Sequence, residues 1–246
     1  MTVERLLRTL DQPRRLIWLA FAGIVAVAWG MLLKADPLAP DLWRGLCGSA
    51  HAAPGHHVAM WTAMVFAMML PSAAPMISTY MDIDEAARRK TLRVAHPALL
   101  AAGYLAIWLA FATAAGLIQA HVDLSGIRGL PGTLLLLAGL WQFAPVKHAC
   151  LTRCRRPMPY FLAHWSERAK DVFRMGLSQG LDCLGCCVAL MTLMFVTGAM
   201  NLLWMAALTV VMIFEKTIER PQPLVHAVGA VLLLLGAAQL VHEFII

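Results

Sequence analysis

Long apolar runs, rarely broken by a charge, leave this chain very few folds to choose from. Hydrocarbon about 30 Å thick takes roughly 20 apolar residues per helix. Seven stretches approach that length: 16–33, 57–80, 96–120, 131–147, 177–198, 201–215 and 224–246. The expected fold class is all-α, a polytopic transmembrane helical bundle of about seven spans forming a single integral membrane domain over 1–246. A transmembrane barrel would need short segments of alternating polarity. Composition excludes the soluble alternatives. Charged residues make up 14% of the chain, against about 25% in a soluble domain, so a water-soluble fold would lack polar surface. With 60% hydrophobic residues, a disordered chain is excluded as well.

The charges orient the spans. With the N-terminus cytoplasmic, all of the 20 Lys and Arg except Lys34, Arg44 and Arg128 fall on the inner side. The positive-inside rule therefore predicts N-in, and an odd number of spans puts the C-terminus outside. The net charge of +6 is a sign of topology. Its basic residues sit in short loops against a membrane, so nucleic acid is not an expected partner. Arg14-Arg15 and the triplet Ala26-Val27-Ala28 resemble a signal peptide, but the apolar run continues to Leu33, which favours a retained signal-anchor helix. The short sixth stretch follows the fifth through Gly198-Ala199-Met200-Asn201 as a hairpin. Tyr160 to Met175, in the inner loop, is weakly amphipathic and suits the inner membrane surface.

Five of the six cysteines, Cys150, Cys154, Cys183, Cys186 and Cys187, map to the inner side, and only Cys47 lies outside. The cytoplasm keeps thiols reduced, so a disulfide framework is not expected. Cys183, Cys186 and Cys187 are spaced i, i+3, i+4 and share one helical face. Cys150 and Cys154 form a second spaced pair. Clustered reduced thiols suit a soft ion, Cu(I) or tetrahedral zinc. Cys183-Leu184-Gly185-Cys186 is also a C-x-x-C, the pattern of a redox dithiol.

The methionines follow helix faces too. His57, Met60, Met64 and Met68 align in the second stretch, with Pro71 and Pro75 continuing the line as a kink. Met191 and Met194 extend the cysteine face, and Asn201, Met205, Thr209 and Met212 align towards Lys216. Thioethers are neutral soft ligands for Cu(I), although methionine also serves as adaptable core filler. Cys47, His51, His56 and His57 make an outer patch suited to metal entry. Asp182 is a carboxylate beside Cys183, with Arg174 or Lys147 as possible partners. Glu215-Lys216 reads as an interfacial anchor. Gly176 and Gly180 form a GxxxG for close packing, and Gly103, Ala106, Ala110 and Ala114 line up as a packing face. No phosphate-binding loop, dinucleotide fingerprint or H-E-x-x-H occurs.

Three segments carry a resemblance: Met60-Trp61 to Pro71, Trp141-Gln142 through Lys147, Cys150 and Cys154 to Pro157, and Cys183 through Cys187, Asn201 and Met205 to Glu215-Lys216. Together they resemble a bacterial family of unknown function described as predicted metal-binding integral membrane proteins, over roughly residues 55–216. The resemblance implies a metal site at the cysteines. Asp182 stands where the family usually has an aromatic residue, and Val188 where it usually has Trp. The extra carboxylate favours zinc or iron as alternatives to copper.

The expected function is transition-metal handling in the bacterial inner membrane, with copper as the ion and its uptake, transfer or delivery as the task. Met60, Met64, Met68, Met191, Met194 and Met205 would offer thioethers between His57 and the inner cysteines. A metallochaperone or metalloenzyme is the expected partner. Two other classes remain: a thiol oxidoreductase using Cys183 and Cys186 with a quinone, and a non-catalytic assembly subunit.

Overall fold

The structure, a computed structural model, describes residues 13–35, 54–88, 97–122, 127–197 and 202–245. It is all-α, with no strand among the described residues. The elements are α1 (Pro13–Ala35), α2 (Pro54–Met64), a π-helical turn (Val65–Met69), α3 (Leu70–Arg88), α4 (Pro97–His121), α5 (Leu130–Gln142), α6 (Pro145–Arg155), α7 (Pro157–Ala163), α8 (Ala169–Thr192), α9 (Met194–Thr197), α10 (Leu202–Thr217) and α11 (Gln222–Ile245). Proline opens α1, α2, α4, α6 and α7, where its missing N–H has no intrahelical partner to lose.

Among the described residues, five helices are long and apolar enough to cross a membrane, or six if the bent pair α5–α6 counts as one. The bend is 63°. It follows from Pro145, which disfavours helical geometry at the residue before it. Ala144 is accordingly extended, at φ −67° and ψ 134°. The stretch 131–147 is therefore broken rather than continuous. α10, with 16 residues, is shorter than a full span, and the expected hairpin turn at 198–201 lies outside the described residues.

Glycines set the closest helix contacts and show the helix directions. A Cβ on Gly103 of α4 would lie 2.9 Å from the Leu177 nitrogen of α8, and one on Gly180 would lie 3.0 Å from Ile107 Cβ. Both residue numbers rise together, so α4 and α8 run parallel. Gly116 meets Val58, while Tyr104 reaches Met69, so the α2–α3 helix runs antiparallel to α4. α5 and α11 are antiparallel, through Gly132 against Leu240 and Gly139 against Leu233. The expected GxxxG contact at Gly176 and Gly180 is present. The expected alanine face is not, because Ala110 and Ala114 are exposed while Leu100, Tyr104, Trp108 and Ala112 are buried.

Two further expectations change. Tyr160 to Met175 is no surface helix: α7 ends at Ala163, α8 begins at Ala169, and Phe161, Val172 and Met175 are core residues. The second stretch is one long helix over 54–88 whose pitch widens at the π turn. Four residues no longer return to the same face there, so Met68 and Met69 are both fully buried. Pro71 cannot donate to the Ala67 carbonyl four residues back. Trp29 Nε1 of α1 donates to that oxygen instead, at 3.0 Å.

The distribution of polarity is inverted relative to a soluble protein. Leu203, Leu234 and Phe244 are exposed, while Gln142, Lys147, Gln179, Asp182, Glu215 and Lys216 are buried.

Candidate metal centre

Cys183, Cys186 and Cys187 lie on the buried face of α8, each about 1% exposed. Their spacing is sufficient reason: i, i+3 and i+4 share a face, and Gly176 and Gly180 let that face approach α4. The turn at Ala144–Pro145 then aims α6 at the same face. It brings Cys154 Sγ to 4.0 Å from Cys186 Sγ. The sulfurs of Cys154, Cys183 and Cys186 all lie within 4.8 Å of one another and can hold a metal ion. Cys186 Sγ is also 3.3 Å from Cys187 Sγ. With metal–sulfur bonds of about 2.3 Å, a trigonal centre would set its sulfurs about 4 Å apart, so the trio fits an ion held by three thiolates. Cys150 sits one turn before Cys154, half-buried, with its sulfur packed on Gly185, where a Cβ would lie 2.7 Å away. All five of these cysteines are free.

A polar shell surrounds Cys183. Tyr104 Oη of α4 lies 3.1 Å from Cys183 Sγ and donates to the Met69 carbonyl at 3.0 Å. Lys216 Nζ of α10 donates to Cys183 Sγ at 3.1 Å and to Ser72 Oγ at 2.8 Å. Ser72 Oγ in turn donates to the Met69 carbonyl at 2.8 Å. None of Ser72, Tyr104 and Lys216 was an expected site residue. The available signals were a tyrosine in the middle of a 25-residue apolar helix and two charges closing another.

Glu215-Lys216 is therefore not an interfacial anchor. Glu215 is 1% exposed, and its two carboxylate oxygens accept from Lys147 Nζ at 2.9 and 3.1 Å. Lys147 is fully buried and also donates to Gln142 Oε1. α6 is further tied to α10 by Arg155, which donates to the Lys216 and Ile218 carbonyls. Asp182 pairs with Arg153 at 3.4 Å, in place of Arg174 or Lys147.

Met64, Met68, Met191, Met194 and Met205 are buried in the same core as the cysteines, and Met60 packs at its edge. His57 lies at the start of α2, half-buried, with its ring 6.0 Å from that of His56. Its Nδ1 is buried without a hydrogen-bond partner among the described residues. Cys47 and His51 lie outside those residues.

Three sulfurs that could hold an ion, beside a buried lysine and among residues that are helical wherever they are described, fit the class of metal-handling helical proteins. The chain belongs to the PpoB2 copper chaperone family, whose model matches residues 58–239. The match spans Cys150, Cys154, Cys183, Cys186 and Cys187 with Ser72, Tyr104, Lys147, Glu215 and Lys216, and leaves out His56 and His57. No curated protein and no solved structure matches the chain.

Proposed function

We propose that this chain is a membrane-embedded copper chaperone that carries Cu(I) as cargo on Cys154, Cys183 and Cys186 and delivers it to a metallochaperone or metalloenzyme. The observation that carries the reading is the close approach of the three sulfurs, drawn from two helices, with Cys183 and Cys186 buried in the core and half-buried Cys154 packed against it. Soft thiolates favour Cu(I), and the family is one of copper chaperones. Half-buried Cys150 is the outermost thiol, one turn before Cys154, and hands the ion on or off. Cys187 adjoins the trio as a further ligand. His57 and Met60 receive the ion at the opposite end, and Met64, Met68, Met191, Met194 and Met205 provide thioethers between.

The bundle lies in the bacterial inner membrane as a single domain of about seven spans with its N-terminus inside. Exposed leucines and buried lysines support this placement, because lipid reverses the usual preference for polar surface. Helix directions support the alternation: α4 and α8, the third and fifth spans, are parallel, while α5 and α11 are antiparallel.

Elemental analysis of anaerobically purified wild type beside Cys154→Ser/Cys183→Ser/Cys186→Ser tests the reading. About one copper per chain is expected in the wild type and none in the variant; equal copper in both sinks it. Redox use of Cys183 and Cys186 is the second reading, favoured by the Lys216 contact, since a neighbouring ammonium promotes thiolate reactivity. Thiol trapping separates the two: a resting Cys183–Cys186 disulfide would support redox, and free thiols the copper cargo.

A further inference from the structure

The sulfur centre leaves a second set of metal-ligating side chains unused. α6 carries His148 two residues before Cys150, and the two side chains meet different neighbours. The Cys150 sulfur packs on Gly185 of α8, while the His148 ring meets the His226 ring of α11, with centroids 5.7 Å apart and planes 79° apart. Phe143 stacks on the same His226 ring at 5.3 Å and 17°. On one straight helix, Phe143 and His148 would lie about 140° apart, at roughly 100° per residue. The bend at Ala144–Pro145 turns both towards α11. Gly229 makes room for the Phe143 ring, because a Cβ there would lie 2.7 Å from Phe143 Cε2. Two imidazoles from separate helices are thus held together by a broken helix, a glycine and a stacked ring.

Packing alone does not account for the choice of histidine. Among the described residues neither imidazole makes a hydrogen bond, although His148 is half-buried and His226 lies one turn into the apolar span Gln222–Phe244. Phenylalanine would fill the same place without polar nitrogens to satisfy, and ionisable groups within such spans mark ion paths. An ion bound to two imidazoles at about 2.0 Å sets their ring centres about 6 Å apart, close to the separation found here. Imidazole suits copper and zinc alike. Zinc takes four ligands, and no third Cys, His, Asp or Glu joins the pair among the described residues, where the one such group of three is the sulfur trio. Cu(I) is satisfied by two donors. Resting on the copper reading above for the identity of the ion, we propose that His148 and His226 form a second Cu(I) site, a two-nitrogen one on the face of α6 turned away from the sulfur centre. Neutral nitrogens hold Cu(I) less tightly than thiolates, so this site fills after the sulfur centre and empties during purification.

The test titrates Cu(I) anaerobically into the full chain in detergent, as wild type and as Cys154→Ser/Cys183→Ser/Cys186→Ser with His57→Ala added to silence the outer histidine. Copper X-ray absorption reads the ligands: sulfur at about 2.3 Å for the centre and nitrogen at about 2.0 Å for the pair. The cysteine variant should still take up Cu(I) on titration, with a nitrogen shell. In that background H148F and H226F should each abolish the nitrogen-bound equivalent. His226 is exposed, and H226F keeps a ring against Phe143, so its effect reports the nitrogens and not the packing or the fold. Cu(I) uptake that persists unchanged in both H148F and H226F would overturn the second site. So would a Zn(II) equivalent that these variants remove while Cu(I) uptake stays the same. The two readings fail separately: a wild type without a sulfur shell overturns the copper cargo of the centre, and a cysteine variant without a nitrogen shell overturns the histidine site.

Discussion

Adding one methyl group to Gly176 should loosen the metal centre from a distance. Gly176 packs on α4, where a Cβ would overlap the Leu100 carbonyl oxygen and lie 3.0 Å from Gly103 Cα. Comfortable carbon contacts begin at about 3.5–4.0 Å, so α4 and α8 must part by about 0.5–1 Å. The obstacle is backbone, and no side-chain rotation relieves it. Overpacking of this kind costs about 1–3 kcal/mol, and alanine recovers up to about 1 kcal/mol in helix propensity. A net loss of about 1–2 kcal/mol lowers Tm by a few degrees in a chain of this size, at about 2–4 °C per kcal/mol. The same separation stretches the Tyr104–Cys183 contact, now 3.1 Å, towards the limit of a hydrogen bond to sulfur and should weaken copper retention. Unfolding of detergent-purified protein can be followed with a thiol-reactive fluorophore, since Cys183, Cys186 and Cys187 are buried until the bundle opens. Gly23→Ala is the control, because a Cβ there meets nothing within 4 Å. Gly176→Ala melting with wild type, or Gly23→Ala melting as low as Gly176→Ala, would refute the packing argument.

Lys147→Met should cost about 3–5 kcal/mol by stranding the Glu215 carboxylate, and Lys147→Met/Glu215→Met should recover most of it; a double variant as unstable as the single would refute the pairing. Met68→Leu keeps volume and should cost under about 1.5 kcal/mol, so a fall in cellular copper accumulation at normal protein level would mark the thioether as a ligand rather than packing. Trp29→Phe leaves the Ala67 carbonyl without its indole donor and should destabilise by about 1–3 kcal/mol, read as a lower melting temperature with copper stoichiometry unchanged.

The helices were legible because apolar runs and prolines are local signals: 96–120 became α4, and the break at Pro145 is written in one residue. The cysteine face of α8 was legible for the same reason, since i, i+3, i+4 spacing survives in any regular helix. The shell around Cys183 was not. Ser72 and Lys216 lie 144 residues apart, and only tertiary packing brings them together. A charge pair at the end of an apolar run looks the same whether it anchors at an interface or turns inward, as Glu215-Lys216 does. The π turn hid for another reason. One extra residue per turn leaves no mark in composition, yet it shifts the methionine line at Met68. The alanine line on α4 fails because small residues suit lipid-facing positions as readily as close packing, and Gly103 with Gly176 and Gly180 opposite decides where α8 sits.

Parallel neighbours such as α4 and α8 cannot be joined by a tight turn, so the chain between them must travel back along the bundle. Synthesis from the N-terminus also brings the groups of the cluster out one after another. Ser72 and Tyr104 emerge first, then Cys154, then Cys183 and Cys186, and Lys216 last. From Cys186 to Lys216, elongation takes about 2–6 s at about 5–20 residues per second. For those seconds the nascent protein has its complete set of thiols and no ammonium beside them. Lys216 is thus the last group of the cluster to take its place, and a product truncated before α10 would present these thiols without it.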